Sequence, residues 1–159
     1  MLYKYMKFAR LVVSVLLVMF LGIAGSFFTA PAIEGWYAKL EKPFFTPPNW
    51  LFAPAWTVLY LLIGLVLYIC WINGFWNNQK LKFAFFLQLA LNFLWSPLFF
   101  GLQNPLLGLF DIITLDLAVI ATVILLHRHS KLAFLLMLPY LAWILFATLL
   151  NFFIIILNP

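Results

Sequence analysis

The chain has 159 residues, of which 67% are hydrophobic and 8% are charged, and its formal net charge is +5. A soluble domain carries charge on about a quarter of its residues, so this composition excludes an ordinary soluble protein and predicts a membrane protein. The basic residues flank apolar segments instead of sharing one surface. We therefore expect them to set membrane topology and contact the lipid bilayer, and we expect no nucleic-acid partner. The single cysteine, Cys70, offers neither a disulfide framework nor metal-ligand spacing.

Five apolar segments are long enough to cross about 30 Å of hydrocarbon as helices. They cover residues 11–30, 53–72, 83–101, 106–126 and 132–157. Every backbone donor and acceptor in a bilayer must be satisfied within the protein, and the chain lacks the alternating pattern of barrel strands. The sequence therefore predicts an all-α membrane protein, a bundle of five transmembrane helices that forms a single domain over residues 1–159.

Lys and Arg residues are distributed unevenly between the two ends of the predicted bundle. Seven precede the first span or follow the second and fourth: Lys4, Lys7, Arg10, Lys80, Lys82, Arg128 and Lys131. The opposite end has Lys39 and Lys42, offset by Glu34 and Glu41. The positive-inside rule therefore predicts a multi-pass protein of a bacterial inner membrane, with its N-terminus in the cytoplasm and its first loop outside.

The stretch between the first two spans, residues 31–52, is predicted to be a long structured loop that covers the bundle. Pro43, Pro47 and Pro48 each remove a backbone donor and fix φ, which disfavours a regular helix before Pro54. The loop is also rich in Trp, Tyr and Phe, and aromatic rings favour the headgroup region of a bilayer. Because a headgroup belt does not account for the prolines, we interpret the loop as a shaped lid.

Polar and aromatic residues recur at helical spacing in several spans. The second span has Trp56, Thr57, Tyr60 and Gly64, the third has Gln88, Asn92, Trp95 and Ser96, and the fifth has Tyr140, Trp143, Ala147 and Asn151. Amides are costly in hydrocarbon unless they find partners, so these faces should point into the bundle. They either join the helices or line a pocket for a flat aromatic ligand. In the first span Gly22, Ser26 and Ala30 form a narrow ridge, for which close helix packing is the simplest reading.

Asp111 and Asp116 are the acids at membrane depth. Five residues on a helix correspond to a rotation of about 140°, so they do not form a paired carboxylate site for acid and base catalysis. For Asp111 a structural role and a functional role both stay open, whereas a structural role is favoured for Asp116. His127 and His129 flank Arg128 in a turn that we expect to be solvated, and not in a metal site.

The chain resembles the tryptophan-rich sensory protein and mitochondrial translocator protein family, also called peripheral benzodiazepine receptors, in three stretches: WYAKLEKPFFTPPNWLFAPAWTVLYLLIG, QLALNFLWSPLFF and PYLAWILFATLLN. The resemblance covers nearly the whole chain. It implies a five-helix bundle, often a homodimer, with a pocket under the first loop. It also implies a tetrapyrrole ligand such as protoporphyrin IX or haem, benzodiazepine-type synthetic ligands, and no further cofactor.

Where the motifs match, the resemblance implies that the ligand is contacted by Tyr37, Pro47, Trp56, Tyr60, Asn92, Trp143 and Ala147. Further polar lining is expected from Gln88, Trp95, Ser96, Asp111, Tyr140 and Asn151. No residue is assigned as catalytic with certainty, and Trp56 and Trp143 are the candidates for porphyrin chemistry. Asn151 is followed by Phe152 and Phe153, where animal members have the Tyr and Arg of a proposed cholesterol motif. Cholesterol binding by that route is therefore not expected.

Three functions are compatible with these features. The first is a membrane-embedded tetrapyrrole-binding protein that acts as sensor, carrier or regulator of porphyrin and stress metabolism. The alternative, which the resemblance also implies, is an enzyme that degrades porphyrin with light and oxygen. Because the chain has no nucleophile and base arrangement, such a reaction would depend on light-excited porphyrin and nearby indoles. The third is a proton-coupled small-molecule transporter that uses Asp111. Five spans without inverted halves argue against the transporter.

Overall fold

The computed structural model describes residues 2–159, with side chains from Lys4 onward. The described residues form six α-helices: α1 (Leu2–Glu34), α2 (Trp36–Lys39), α3 (Asn49–Ile72), α4 (Gln79–Ser96), α5 (Pro105–His127) and α6 (Lys131–Leu157). A 3₁₀ turn, Phe75–Asn77, follows α3, and a π-helical turn, Pro97–Gly101, extends α4. Five of the helices are long and apolar enough to cross a membrane, and the described part of the chain contains no strand. The predicted all-α bundle of five membrane helices is confirmed.

The helices extend beyond the predicted spans at most of their ends, and the first connection is the largest departure. Because α1 continues to Glu34 and α3 begins at Asn49, the prediction of a loop over residues 31–52 is wrong in its extent. Within that stretch only Gly35 and residues 40–48 are non-helical. We call residues 40–48 the outer loop, and the end of the bundle that carries it the outer end.

Prolines explain both the successful and the failed part of this prediction. Pro43 and Pro47 lie in the outer loop, and Pro48 has the extended conformation of a helix N-cap, with φ −63° and ψ 145°. Pro54, however, lies inside α3. The carbonyl that it leaves without a donor belongs to Trp50, whose side chain is 72% exposed at the outer end, where water and headgroups supply donors.

The five long helices form a closed ring around a shared interior. α1 packs against α3 and α4, α4 packs against α5, α5 against α6, and α6 against α3. α1 and α3 approach each other closely at Gly64, where an added Cβ would lie 2.8 Å from the Cα of Val15. Towards the opposite end of the bundle, which we call the inner end, fully buried side chains such as Ile63, Phe85 and Met137 fill the space between the helices.

The outside of the ring is apolar. Phe20, Phe27, Phe83 and Phe110 are 65–75% exposed and come from three different helices. Exposed apolar surface on this scale requires contact with hydrocarbon. The protein is therefore a multi-pass membrane protein.

The outer loop is fastened to the C-terminal end of α6. The side chain of Asn158 accepts a hydrogen bond from the Glu41 amide and donates one to the Glu41 carbonyl, both at 2.9 Å. The ring of Phe45 also packs edge-on against Phe153, with 5.5 Å between the ring centroids. These contacts hold the outer loop over α6.

Candidate ligand-binding site

A cavity of about 390 Å³ lies between the outer halves of α1, α3, α4 and α6, with Tyr37 of α2 among its lining residues. Its volume falls within the range of about 300–1,000 Å³ that is typical of small-molecule sites. Its lining is mostly apolar and aromatic, and none of the lining residues carries a formal charge. The cavity therefore fits a mainly apolar ligand.

Most residues that the resemblance assigned to ligand contact lie around this cavity. The lining includes Tyr37, Trp56, Tyr60, Asn92, Trp143 and Ala147, together with Trp95, Ser96 and Asn151 from the polar set. Pro47 lies in the outer loop and is not part of the lining. Gln88, Asp111 and Tyr140 are buried outside the cavity. Contact of each residue with a ligand stays a prediction.

Aromatic rings from α3 and α6 meet on one side of the cavity. Trp56 stacks on Tyr60 with 5.3 Å between the ring centroids, and meets Trp143 edge-on at 6.4 Å. Phe52 packs against Trp143 at 6.1 Å. Because some of these rings are stacked and others perpendicular, they can offer both ring faces and ring edges to an aromatic ligand.

Asn92 joins three helices at the wall of the cavity. The Tyr60 hydroxyl donates to Asn92 Oδ1 at 3.0 Å, and Asn92 Nδ2 donates to the Tyr140 hydroxyl at 3.0 Å. Tyr140 is fully buried behind the cavity, so it holds the amide of Asn92 in place and is not itself available to a ligand. The predicted polar faces therefore serve both purposes that the sequence left open, joining helices and lining a pocket.

Trp95 and Asn151 make a second polar junction. Trp95 Nε1 donates to Asn151 Oδ1 at 3.3 Å, and Asn151 Nδ2 donates to the carbonyl of Pro105 at 2.8 Å. The ring of Trp95 stacks on Phe99 at 4.9 Å. This junction ties α4, α5 and α6 together beside the cavity.

Two of the lining residues that the sequence did not single out, Phe99 and Phe100, follow Pro97. A proline lacks the N–H that would continue the α-helical ladder, and here the next turn widens to a π-turn closed by a bond from Leu102 N to Pro97 O at 2.8 Å. Both phenylalanines line the cavity, with 4.8 Å between their ring centroids. The signal in the sequence is the proline itself, which indicates a local departure from the α-helix but not where the two rings lie.

The small residues of α1 give the cavity its remaining wall. Gly22, Ser26 and Ala30 all line it, and a Cβ at Gly22 would overlap the Tyr60 ring. Ser26 Oγ donates to the carbonyl of Ile23 within its own helix. The ridge that the sequence assigned to helix packing therefore also leaves room for the cavity.

The two membrane-depth acids do not line the cavity. Asp116 Oδ2 accepts a hydrogen bond from Thr148 at 2.8 Å, which joins α5 to α6 and supports its structural interpretation. Asp111 is buried, and its Oδ2 has no hydrogen-bond partner in the described structure. Among residues 2–159, no group of three or more His, Cys, Asp or Glu side chains is arranged to hold a metal ion.

Tyr37 and Lys42 lie together at the outer end. Tyr37 is 5% exposed and meets Phe100 edge-on at 5.6 Å. Burial raises the pKa of the Tyr37 hydroxyl above its ordinary value of 10.0, so the phenol is neutral at physiological pH. Lys42 Nζ lies 4.7 Å from the centroid of the Tyr37 ring, in a cation–π arrangement.

Comparisons with known proteins agree with this architecture. The TspO/MBR family model matches residues 14–157. The chain is 65% identical to the tryptophan-rich protein TspO of Archaeoglobus fulgidus, over 96% of this chain and 99% of that protein. It is 38% identical to the translocator protein of Homo sapiens, over 74% of this chain and 71% of that protein. It is also 38% identical to the tryptophan-rich sensory protein of Cereibacter sphaeroides, over 77% of this chain and 81% of that protein. The chain therefore belongs to the TspO/MBR family, as its three motifs indicated.

Proposed function

We propose that this protein binds tetrapyrroles, such as protoporphyrin IX or haem, within the membrane and acts as a sensor, carrier or regulator of porphyrin and stress metabolism. The observation that carries the proposal is the convergence of Trp56, Trp95 and Trp143, from three different helices, on one uncharged cavity of about 390 Å³. The names of its relatives, which include sensory and translocator proteins, are consistent with such a role.

The chemistry of the cavity matches a large flat macrocycle. Each aromatic contact with a ligand ring contributes about 0.5–1.5 kcal/mol beyond the burial of area. Trp56 and Trp143 stand nearly perpendicular, at 84°, so one can stack on a macrocycle while the other meets its edge. The amide of Asn92 lies in the same wall and offers a polar group to the edge of the ring system.

Fluorescence titration tests the proposal. Protoporphyrin IX should quench tryptophan fluorescence saturably, and the double variant Trp143→Ala with Asn92→Ala should bind it more weakly. Trp71→Ala is a matched control, because Trp71 lies near Arg10, 5.7 Å from its guanidinium, and does not line the cavity. Unchanged affinity in a folded double variant would remove the cavity as the binding site.

Light-dependent porphyrin degradation is a second candidate, supported by the ring contacts within the cavity. The ring centroid of Trp56 lies 5.3 Å from that of Tyr60 and 6.4 Å from that of Trp143, so a porphyrin bound in the cavity would have three oxidisable rings beside it. Bound porphyrin should then bleach in light and oxygen at a rate that differs from free porphyrin in detergent and that changes in Trp56→Phe. Equal rates in all three samples would exclude this activity.

Since neither Asp111 nor Asp116 lines the cavity, we do not propose a proton-coupled transporter.

We also propose that the outer end faces away from the cytoplasm. The inner end carries seven of the nine Lys and Arg residues, and the outer end carries Lys39 and Lys42. A cysteine placed at exposed Lys39 should react with a membrane-impermeant maleimide in intact cells, and one placed at exposed Lys80 should react only after lysis. The opposite labelling pattern would show that the topology is inverted.

A homodimer and benzodiazepine-type ligands stay predictions of the family resemblance.

A further inference from the structure

The cavity is open to the side of the bundle, along the seam between α1 and α3. Its exposed lining residues all belong to these two helices: Ile23, Ser26 and Ala30 on α1, and Asn49, Ala53 and Thr57 on α3. The lining residues from α2, α4, α6 and the π-helical turn are buried or half-buried. The cavity therefore reaches the surface of the bundle between the outer halves of α1 and α3, and not through its other walls.

No side-chain hydrogen bond closes this seam in the described structure. The hydroxyls of Ser26 and Thr57 both donate to carbonyls of their own helices. Among the described side chains, no hydrogen bond joins the outer half of α1 to the outer half of α3. Towards the inner end the seam closes, because the ring of Tyr60 lies against Gly22. The opening thus has a defined lower border and an unfastened upper part.

The opening lies at the depth of lipid acyl chains. Trp50, near the start of α3, is 72% exposed, and an indole ring favours the headgroup region of a bilayer. Thr57 follows seven residues later, which places it about 10 Å deeper along the helix axis. The chain neighbours of Ser26 and Thr57, Phe27 and Val58, are apolar and are 75% and 55% exposed. The opening therefore faces hydrocarbon.

We propose that this seam is a lateral portal through which one acyl chain of a bilayer phospholipid enters the cavity. The lining is mostly apolar, so water finds few hydrogen-bond partners there, and a hydrocarbon chain fills such a space more favourably. A chain that fills the cavity also recovers the dispersion contacts that an unfilled space forfeits. Small side chains border the path, Ser26 and Ala30 on one side and Ala53 and Thr57 on the other. The portal does not depend on the proposed tetrapyrrole ligand.

Photolabelling with a lipid tests the portal. The protein is reconstituted in vesicles of phosphatidylcholine that carries a diazirine at the end of one acyl chain, and the residues labelled by light are identified by tandem mass spectrometry. Leu149 and Leu150 form an internal pair on α6. Leu149 is 47% exposed and does not line the cavity, whereas Leu150 is 6% exposed and lines it. The wild type should be labelled at both residues, because an acyl chain inside the cavity reaches Leu150.

Bulky side chains at the portal should block this entry. Thr57→Phe should lower the ratio of Leu150 to Leu149 labelling about fivefold or more, because a phenyl ring fills the path of the chain. Ser26→Phe, on the opposite border, should have the same effect. Thr114→Phe is the matched control, because Thr114 is also exposed and also donates to a carbonyl four residues earlier in its own helix, but does not line the cavity. It should leave the ratio unchanged.

Each result supports or overturns the portal. Labelling of Leu149 without Leu150 in the wild type would overturn it. An unchanged ratio in Thr57→Phe and Ser26→Phe would place the entry elsewhere, and an equal fall in Thr114→Phe would attribute the effect to bulk at any lipid-facing position. A ratio that rises towards one marks a misfolded variant, since loss of the bundle exposes both leucines to lipid, and the other portal variant then decides. No porphyrin is present, so failure of the portal leaves the proposed binding function intact.

Discussion

The hydrogen bonds of Asn92 allow the stability of the bundle around the cavity to be predicted. Asn92→Ala removes two interhelical bonds at once, those to Tyr60 and Tyr140, each 3.0 Å long. An interhelical hydrogen bond in a membrane protein contributes about 0.6 kcal/mol on average and about 1.7 kcal/mol at most. We therefore expect Asn92→Ala to lower the free energy of unfolding by about 1–3 kcal/mol. The upper part of that range applies because the Tyr140 hydroxyl is left fully buried without a partner.

A double-mutant cycle isolates the bond between Asn92 and Tyr140. Unfolding is followed by far-UV circular dichroism in mixed micelles of increasing denaturing-detergent content, for wild type, Asn92→Ala, Tyr140→Phe and the double variant. The coupling energy should be about 0.6–1.7 kcal/mol. Thr57→Val is the control, because Thr57 lines the cavity and its hydroxyl donates only to the Ala53 carbonyl of its own helix, at 2.8 Å. It should change stability by less than about 0.5 kcal/mol.

A coupling energy of zero between Asn92 and Tyr140, with all four proteins folded, would refute the reasoning. It would mean that the amide of Asn92 is equally well satisfied without Tyr140. A loss in Thr57→Val as large as that in Asn92→Ala would likewise show that any polar group on the cavity wall contributes, whether or not it joins two helices.

Three further predictions concern the helix contacts and the outer end. Gly64→Val should lower the free energy of unfolding by about 1–3 kcal/mol, because its Cβ would meet the backbone of Val15; an unchanged detergent midpoint would contradict this. Asn158→Ala should release the outer loop at Glu41 and speed dissociation of a bound porphyrin in stopped-flow measurements; an unchanged rate would exclude a role of this contact in ligand retention. Because burial raises the pKa of Tyr37, the folded state holds the phenol proton to a higher pH than the unfolded state. The contribution of Tyr37 to the free energy of unfolding is therefore retained below pH 10.0 and is lost as the pH rises above it. Tyr37→Phe should reduce the loss of unfolding free energy above pH 10.0. An identical dependence of stability on pH in the variant and the wild type would contradict the burial of the Tyr37 hydroxyl as its cause.

The sequence by itself determined the membrane helices and the inward direction of their polar faces. Helical spacing gives the angular position of Gln88, Asn92 and Trp95 on α4, and the cost of an unpartnered amide in hydrocarbon directs that face inward. The same argument applies to Tyr140 and Asn151 on α6. All five are buried or half-buried within the ring.

Tertiary structure decided which of these inward residues reach the cavity. Gln88 and Asn92 are one turn apart on the same face, yet Asn92 lines the cavity whereas Gln88 is fully buried outside it. Periodicity reports the angle of a side chain about its own helix, but not the size of the side chains that neighbouring helices present at that depth. The absence of a side chain at Gly22 makes room for the ring of Tyr60, and no pattern within a single helix contains that information. The same holds for the outer loop, whose position depends on contacts with Asn158, at the far end of the chain.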